Sequence, residues 1–165
     1  MMGRIFISIL VLLHIVTSAQ AQICTSDNDV TNPETFVWTQ VNTADGSYYF
    51  GTLEMGAAEF TINGETLITR AYRQEGGEYS IPGPTIRMVP GNKYVLRFKN
   101  TLPYEPFNHE HNVFRNPNFT NVHTHGLHIS GESPGDDVTR FFEGGFGGDY
   151  VYDIPANHMG GGYWY

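Results

Sequence analysis

Residues 59–72 have the sequence EFTINGETLITRAY, in which two β-rich runs are separated by the pair Asn63-Gly64. Asn-Gly suits the two central positions of a tight hairpin turn, because both positions require a positive φ. The runs on either side are rich in Thr, Ile, Phe and Tyr, which fit a pleated, half-buried surface. The stretch therefore predicts a β-hairpin, with strands at Glu59–Ile62 and Leu67–Tyr72.

The same composition continues on both sides of this hairpin. From Thr35 onward the chain is aromatic and β-branched, is punctuated by glycine and proline, and has no long 3.6-residue periodicity. Further strands are predicted at 35–41, 48–55, 84–88, 93–100, around 123, at 149–154 and from 160 to 165. Loops are predicted at 103–118, 130–137 and 144–148. The sequence therefore predicts an all-β fold with little helix.

Length and charge limit the function classes. The chain has 165 residues, which is the length of one domain and enough to bury a core. Its formal net charge is −8. An acidic surface argues against nucleic acid and anionic membranes as partners.

The amino terminus has the features of an export signal. Arg4 precedes an apolar run at 5–16, and Ala19-Gln20-Ala21 follows as a small-residue cleavage site. We predict a signal peptide at 1–21 and a mature domain at 22–165, secreted to the extracellular space or to a bacterial periplasm. The apolar run is too short to span a membrane. Loss of Arg4, the only charge of the leader, changes the net charge from −8 to −9.

Two features bear on this secreted context. Cys24 is the only cysteine, so it is either a free thiol or paired with a cysteine outside this sequence, and we favour the disulfide. Asn118-Phe119-Thr120 is a glycosylation sequon, usable only in a eukaryotic secretory route.

The motif His123-Thr124-His125-Gly126 carries the main chemical signal. Two residues apart on an extended segment, both imidazoles should project from one face. Neutral imidazole is a common ligand of copper, zinc and iron, so the pair predicts a metal site. A cupin site is excluded, because Glu132 lies seven residues after His125 and Pro117 occupies the position of the expected upstream glycine.

The other histidines are weaker candidates. His109 and His111 form a second His-x-His pair, but they lie in a polar loop and we interpret them as solvated. His128 falls on the opposite face of the predicted strand and is interpreted as a surface residue. His158 lies in a turn before the last strand, where we predict a structural role.

Three blocks in order resemble the amino-terminal cupredoxin domain of multicopper oxidases, the family of laccases, ascorbate oxidases and bilirubin oxidases. They are PGPTIR at 82–87 with the following PG at 90–91 and FKNTL at 98–102, HTHG at 123–126, and the run from 150 to 155 with GYWY at 162–165. The resemblance implies a cupredoxin-like Greek-key β-sandwich from about Phe36 to Tyr165. It also implies that a second His-x-His pair follows Tyr165, so that the last strand is incomplete here.

The resemblance further implies an oxidase that takes electrons from a small reducing substrate, such as a phenol or a metal ion, and reduces dioxygen to water at a trinuclear copper cluster. His123 would then be a type 2 copper ligand and His125 a type 3 ligand. Asp136, in the loop after the motif, would help to move protons near type 2 copper, and Asp137 is a weaker candidate for that role. A blue-copper site needs a cysteine, and Cys24 lies near the leader, so further cupredoxin domains of the same chain would supply it.

Two functions remain open at this point. The chain is either the first domain of an exported oxidase, inactive by itself, or a non-catalytic cupredoxin-like module that binds copper or a partner.

Overall fold

The computed structural model describes residues 33–110 and 116–165, which contain five β-strands and no helix, and therefore no helix that could cross a membrane. These residues belong to one compact unit beginning at Asn32. The strands are β1 (Thr39–Thr43), β2 (Gly46–Ile62), β3 (Glu65–Gln74), β4 (Lys93–Asn100) and β5 (Gly147–Asp153). The predicted leader, Cys24 and His111 lie outside the described residues.

All five strands form one mixed sheet around β2. β1 and β3 pair antiparallel with successive parts of β2, and β4 pairs with it in parallel, from Tyr49 opposite Tyr94 to Met55 opposite Asn100. β5 then pairs antiparallel with β4. The strand order is β1-β2-β4-β5, and β3 also pairs with β2. Strands β4 and β5 therefore lie on one side of β2, and β3 lies on the other.

The core lies against β2, β4 and β5. Their inward side chains alternate along the strands, as Tyr94, Leu96 and Phe98 do in β4, where all three are buried. Residues of the connecting segments complete the same cluster, so these segments form a second layer over the sheet. The buried members from outside the strands are Phe36, Leu102, Val122, Phe142 and Ile154.

This second layer has no continuous hydrogen-bonded ladder among the described residues. Its described pairings are single bridges, namely Thr35 with Thr85, Thr120 with Phe142 and His125 with Trp164. The strand predictions at 84–88, around His123 and from 160 to 165 are therefore wrong as regular strands. Apolar packing and side-chain hydrogen bonds hold these segments in place of a continuous ladder.

Two further boundaries differ from the predictions. The first strand begins at Thr39 instead of Thr35, and the predicted strands 48–55 and 59–62 are one continuous strand of 17 residues. Gly56 lies inside that strand, where the Tyr79 and Thr101 hydroxyls pack against it. A Cβ atom at Gly56 would lie 2.4 Å from each of those two oxygens. The hairpin turn at Asn63-Gly64 and the bounds of β4 are as predicted.

Candidate metal centre

The imidazoles of His123 and His125 lie side by side, as the His-x-His spacing predicts. Their ring centroids are 4.7 Å apart and their planes make an angle of 53°. His123 is half-buried and His125 is exposed. The exposed ring of His125 thus lies beside the half-buried ring of His123.

Asp136 lies directly behind His123. Its Oδ2 atom is 3.0 Å from His123 Nδ1, although the ring is not turned so that an N–H bond would point at that oxygen. Apart from this contact, His123 Nδ1 is buried and lacks a hydrogen-bond partner among the described residues. With the ring turned so that Nδ1–H points at this oxygen, the carboxylate would accept a hydrogen bond from it and leave Nε2 as the free nitrogen.

Thr124, between the two histidines, fixes the carboxylate. Its backbone N–H donates to Asp136 Oδ1 at 3.0 Å, and its hydroxyl donates to Oδ2 at 2.8 Å. Thr124 and Asp136 are both 8% exposed. Hydrogen bonds to a charged acceptor that is buried to this extent are among the stronger ones in proteins, so the loop and the motif form one unit.

A tight turn brings Asp136 to the motif. The N–H of Asp136 donates to the Ser130 carbonyl at 2.8 Å, and that of Gly135 donates to the Glu132 carbonyl at 2.6 Å. A Cβ atom at Gly135 would lie 2.4 Å from the Ser130 oxygen, so only glycine fits there. The predicted loop at 130–137 is thus an ordered turn that presents one carboxylate.

The sheet holds the other end of the motif. Tyr150, in β5, accepts a hydrogen bond from the Val122 N–H at 3.1 Å through its hydroxyl. Its ring stacks on Tyr152, with the centroids 6.0 Å apart, and burial raises the pKa of both phenols above the usual value. The Tyr152 hydroxyl, by contrast, is buried with no hydrogen-bond partner among the described residues, and Tyr152 lines a largely apolar cavity of about 640 Å³.

The carboxyl-terminal segment completes the surroundings of the pair. The N–H of His125 donates to the Trp164 carbonyl at 2.9 Å in an antiparallel bridge. Tyr165 anchors the end of this segment, since its hydroxyl donates to the Pro84 carbonyl at 2.8 Å and packs closely on Gly83. The motif at 82–87 and the segment at 162–165, two of the blocks noted in the sequence, are therefore in direct contact.

The remaining candidates lie apart from the pair. Asp137 accepts hydrogen bonds from the N–H and hydroxyl of Thr139, which lower the pKa of its carboxyl. His109 is exposed and its ring packs on Phe107. His128 is exposed, whereas His158 is half-buried and contacts the His128 backbone. Sequence reasoning missed Tyr150 and His158 as supports of the motif, because both contacts join residues far apart in the chain.

Within residues 33–110 and 116–165, no group of three or more His, Cys, Asp and Glu side chains is placed to hold a metal ion. The pair thus offers two imidazoles that could serve as ligands and a carboxylate behind one of them. Zinc, copper and iron usually take three or more protein ligands, so this part of the chain supplies an incomplete coordination set.

Comparison with known proteins gives one informative result. No protein-family model matches the chain, and no curated protein matches it in sequence. Among solved structures it is similar to a multi-copper oxidase from Pediococcus acidilactici, with a TM-score of 0.52 and 17% sequence identity. The match covers 76% of this chain but only 22% of that protein.

An identity this low is evidence about the fold alone. The described residues form an all-β unit with the fold of a cupredoxin-like domain, and the predicted fold class is confirmed. The chain spans about a fifth of the length of its structural neighbour.

Proposed function

We propose that this chain is a copper-binding, cupredoxin-like domain of an exported multicopper oxidase, with His123 and His125 as two of the copper ligands. The observation that carries the proposal is the pair of imidazoles 4.7 Å apart with a buried carboxylate 3.0 Å behind one of them. A ligand histidine commonly donates its second N–H to a carboxylate, which fixes the ring and leaves the other nitrogen for the metal. Similarity in fold to a multi-copper oxidase supports copper over zinc or iron.

The chain's own residues would hold the ligands in place. Asp136 would accept a hydrogen bond from the Nδ1–H of His123, so that Nε2 faces the metal. Thr124 keeps that carboxylate from rotating away through its two hydrogen bonds. No hydrogen bond to His125 occupies its ring nitrogens within the described residues, so the ring is available for a second metal contact.

Further ligands would come from elsewhere in a longer protein. In the antiparallel bridge His125 faces Trp164, so the position that follows Tyr165 is the one opposite His123. A second His-x-His pair there, which the resemblance in sequence implies, would approach the first from across the bridge. Other cupredoxin domains of the same protein would supply the remaining ligands and the site that receives electrons.

The proposed reaction oxidises a small reducing substrate, such as a phenol or a metal ion, and reduces dioxygen to water. Bound copper would supply one-electron steps, which let four electrons reach one dioxygen molecule. Asp136 would hold and release a proton near His123, because its carboxylate is the acid-base group in direct contact with that ring.

Copper titration of the purified chain tests the ligand assignment. We expect one Cu²⁺ ion to bind, and we expect binding to fall by at least about tenfold when His123 and His125 are both changed to alanine. A matched control changes His109 and His111, the second His-x-His pair, to alanine and should leave copper binding unchanged. Equal binding by the two double variants would remove His123 and His125 as ligands.

Oxygen consumption with a phenolic donor tests where turnover arises. We expect the copper-loaded chain alone to consume oxygen at the background rate, because two imidazoles leave most metal positions to water. A longer protein that contains this domain together with the other cupredoxin domains should oxidise the donor. Oxygen uptake by the chain alone at a rate equal to that of a complete oxidase would show that turnover does not need the other cupredoxin domains.

A non-catalytic copper-binding module is the second candidate. The absence of a third ligand near the pair, within the part of the chain that the structure describes, favours it. The two candidates differ in one observation, namely whether the protein that contains this domain also contains a second His-x-His pair and a cysteine-containing copper site.

A further inference from the structure

Both ring nitrogens of His158 form hydrogen bonds with backbone atoms. Nδ1 lies 2.8 Å from the Met159 carbonyl oxygen, and Nε2 lies 3.0 Å from the backbone nitrogen of His128. A carbonyl oxygen only accepts and a backbone N–H only donates, so Nδ1 carries the proton and Nε2 accepts. The structure therefore assigns a neutral ring with a single tautomer to His158.

The same ring connects the segment after the metal pair to the turn that precedes Trp164. His128 lies three residues after His125, and the rings of His128 and His158 are 5.2 Å apart. Tyr163 also packs on the His158 ring at 5.4 Å, and its hydroxyl donates to the same Met159 carbonyl at 2.8 Å. A half-buried histidine thus joins two segments that are thirty residues apart in sequence.

Two other contacts hold the backbone around His125. The Tyr163 ring lies over Gly126, where a Cβ atom would be 3.1 Å from it and where φ is +92°. The next residue, Trp164, accepts the hydrogen bond from the His125 N–H. Segment 125–128 is thus held at one end by the bridge and at the other end by His158.

We propose that His158 is a positioning residue for the metal pair, whose neutral ring holds segment 125–128 against segment 159–164 and so fixes the direction of the His125 imidazole. This inference rests on the proposed copper-binding function. Without the Nε2 acceptor, the His128 N–H loses its partner, and the backbone beyond His125 keeps the bridge to Trp164 and the apolar packing of Leu127 on the core.

Two substitutions of similar size separate the two ring nitrogens. In His158→Asn the amide nitrogen reproduces the Nδ1 donor, but nothing replaces the Nε2 acceptor. In His158→Gln the longer amide reaches the position of Nε2 and presents an acceptor to the His128 N–H. His128→Ala is the control, since it removes the neighbouring ring and keeps the backbone N–H.

Amide hydrogen exchange of the metal-free chain is the first measurement. We expect exchange at the His128 and His125 N–H groups to be at least about fivefold faster in His158→Asn than in the wild type. His158→Gln and His128→Ala should stay within about twofold of the wild type. Unchanged exchange in His158→Asn would overturn the proposal, and β4 amides report whether each variant is folded.

Cu²⁺ affinity is the second measurement. We expect it to fall about tenfold in His158→Asn and to be largely restored in His158→Gln, as for other residues that orient a metal ligand. A Cu²⁺ affinity of His158→Asn equal to that of the wild type would overturn the positioning role. This conclusion holds even if copper is bound at His123 and His125. If the wild-type chain instead binds no copper through these histidines, the proposed function fails, whereas the exchange result still decides whether His158 fixes the segment.

Discussion

The five-stranded sheet and the layer that carries the histidines are ordered by different means. In the sheet, β2 is bonded to three other strands, and at 49–50 and 53–55 its backbone is paired on both sides. In the layer at 116–146 and 154–165, single bridges alternate with side-chain-to-backbone bonds made by residues such as Asn100, Asp136, Tyr150 and His158. The difference indicates that the sheet resists single changes of polar residues, whereas the layer depends on a few of them.

The largest effect is expected inside the sheet. Leu53 is fully buried and pairs with both β3 and β4, so Leu53→Ala leaves a cavity that the ladders prevent from closing. We expect the free energy of unfolding in urea to fall by about 3 kcal/mol. Ile68→Ala is the control, because Ile68 is 69% exposed, and should change it by less than about 0.5 kcal/mol. Equal losses would show that the hairpin end of the sheet is as well packed as its centre.

The second largest loss of stability is expected for a change in the layer that carries the histidines, with the sheet left intact. Asp136→Ala leaves the buried N–H and hydroxyl of Thr124 without their acceptor, and we expect a loss of about 2 kcal/mol in the free energy of unfolding. Cu²⁺ affinity should fall about tenfold, since His123 loses the carboxylate behind it. Asp136→Asn keeps one acceptor oxygen and should lose less stability. An unaltered copper affinity in the alanine variant would separate Asp136 from the metal pair.

The third prediction compares two stacked tyrosines. The hydroxyl of Tyr150 accepts a hydrogen bond, and that of Tyr152 has no partner among the described residues. Tyr150→Phe removes the acceptor of the Val122 N–H, and we expect a loss of about 1 kcal/mol in the free energy of unfolding. Tyr152→Phe removes a buried hydroxyl that has no described partner, so it should leave stability unchanged or raise it slightly. Chemical denaturation of both variants decides the matter. A larger loss for Tyr152→Phe would mean that its hydroxyl has a partner.

The smallest effect lies at the exposed edge of the sheet. Arg97 donates two hydrogen bonds to Asp149 and lowers the pKa of that carboxyl below its ordinary value. A lowered folded-state pKa gives a stabilisation that is present above the ordinary pKa near 3.8 and is lost as the pH falls through the folded-state value. Both side chains are more than a third exposed, so Arg97→Gln should cost only about 0.5 kcal/mol at neutral pH. The difference in the free energy of unfolding between the variant and the wild type should vanish in strong acid. A difference that grows as the pH falls would contradict the predicted sign.

Local sequence is a good guide to the sheet and to the adjacency of the two histidine rings. The Asn63-Gly64 turn and the alternation in β4 depend on neighbouring residues, and both elements form where they were predicted. The adjacency of the His123 and His125 rings also follows from a two-residue spacing on an extended backbone.

Contacts between distant residues could not be predicted in this way. The resemblance in sequence indicates Asp136 as a candidate residue, but its hydrogen bonds to Thr124 depend on the turn at 130–136. His158 was assigned to a turn, because nothing local indicates that its acceptor nitrogen meets residue 128. Gly56 likewise marks the close approach of two hydroxyl groups from elsewhere in the chain, which its neighbours in sequence do not indicate.

The pairing of β4 with β5 has a consequence for the order in which the chain folds. The hairpin of β2 and β3 closes over two residues and needs no other part of the molecule, so it can form early. The β4–β5 ladder instead encloses the whole segment that contains the histidines, between Lys99 and Gly147. During synthesis His123 and His125 therefore leave the ribosome before Tyr150 and Trp164, the residues that hold their backbone. We expect the pair to reach its final arrangement only when this long loop has closed, late in folding.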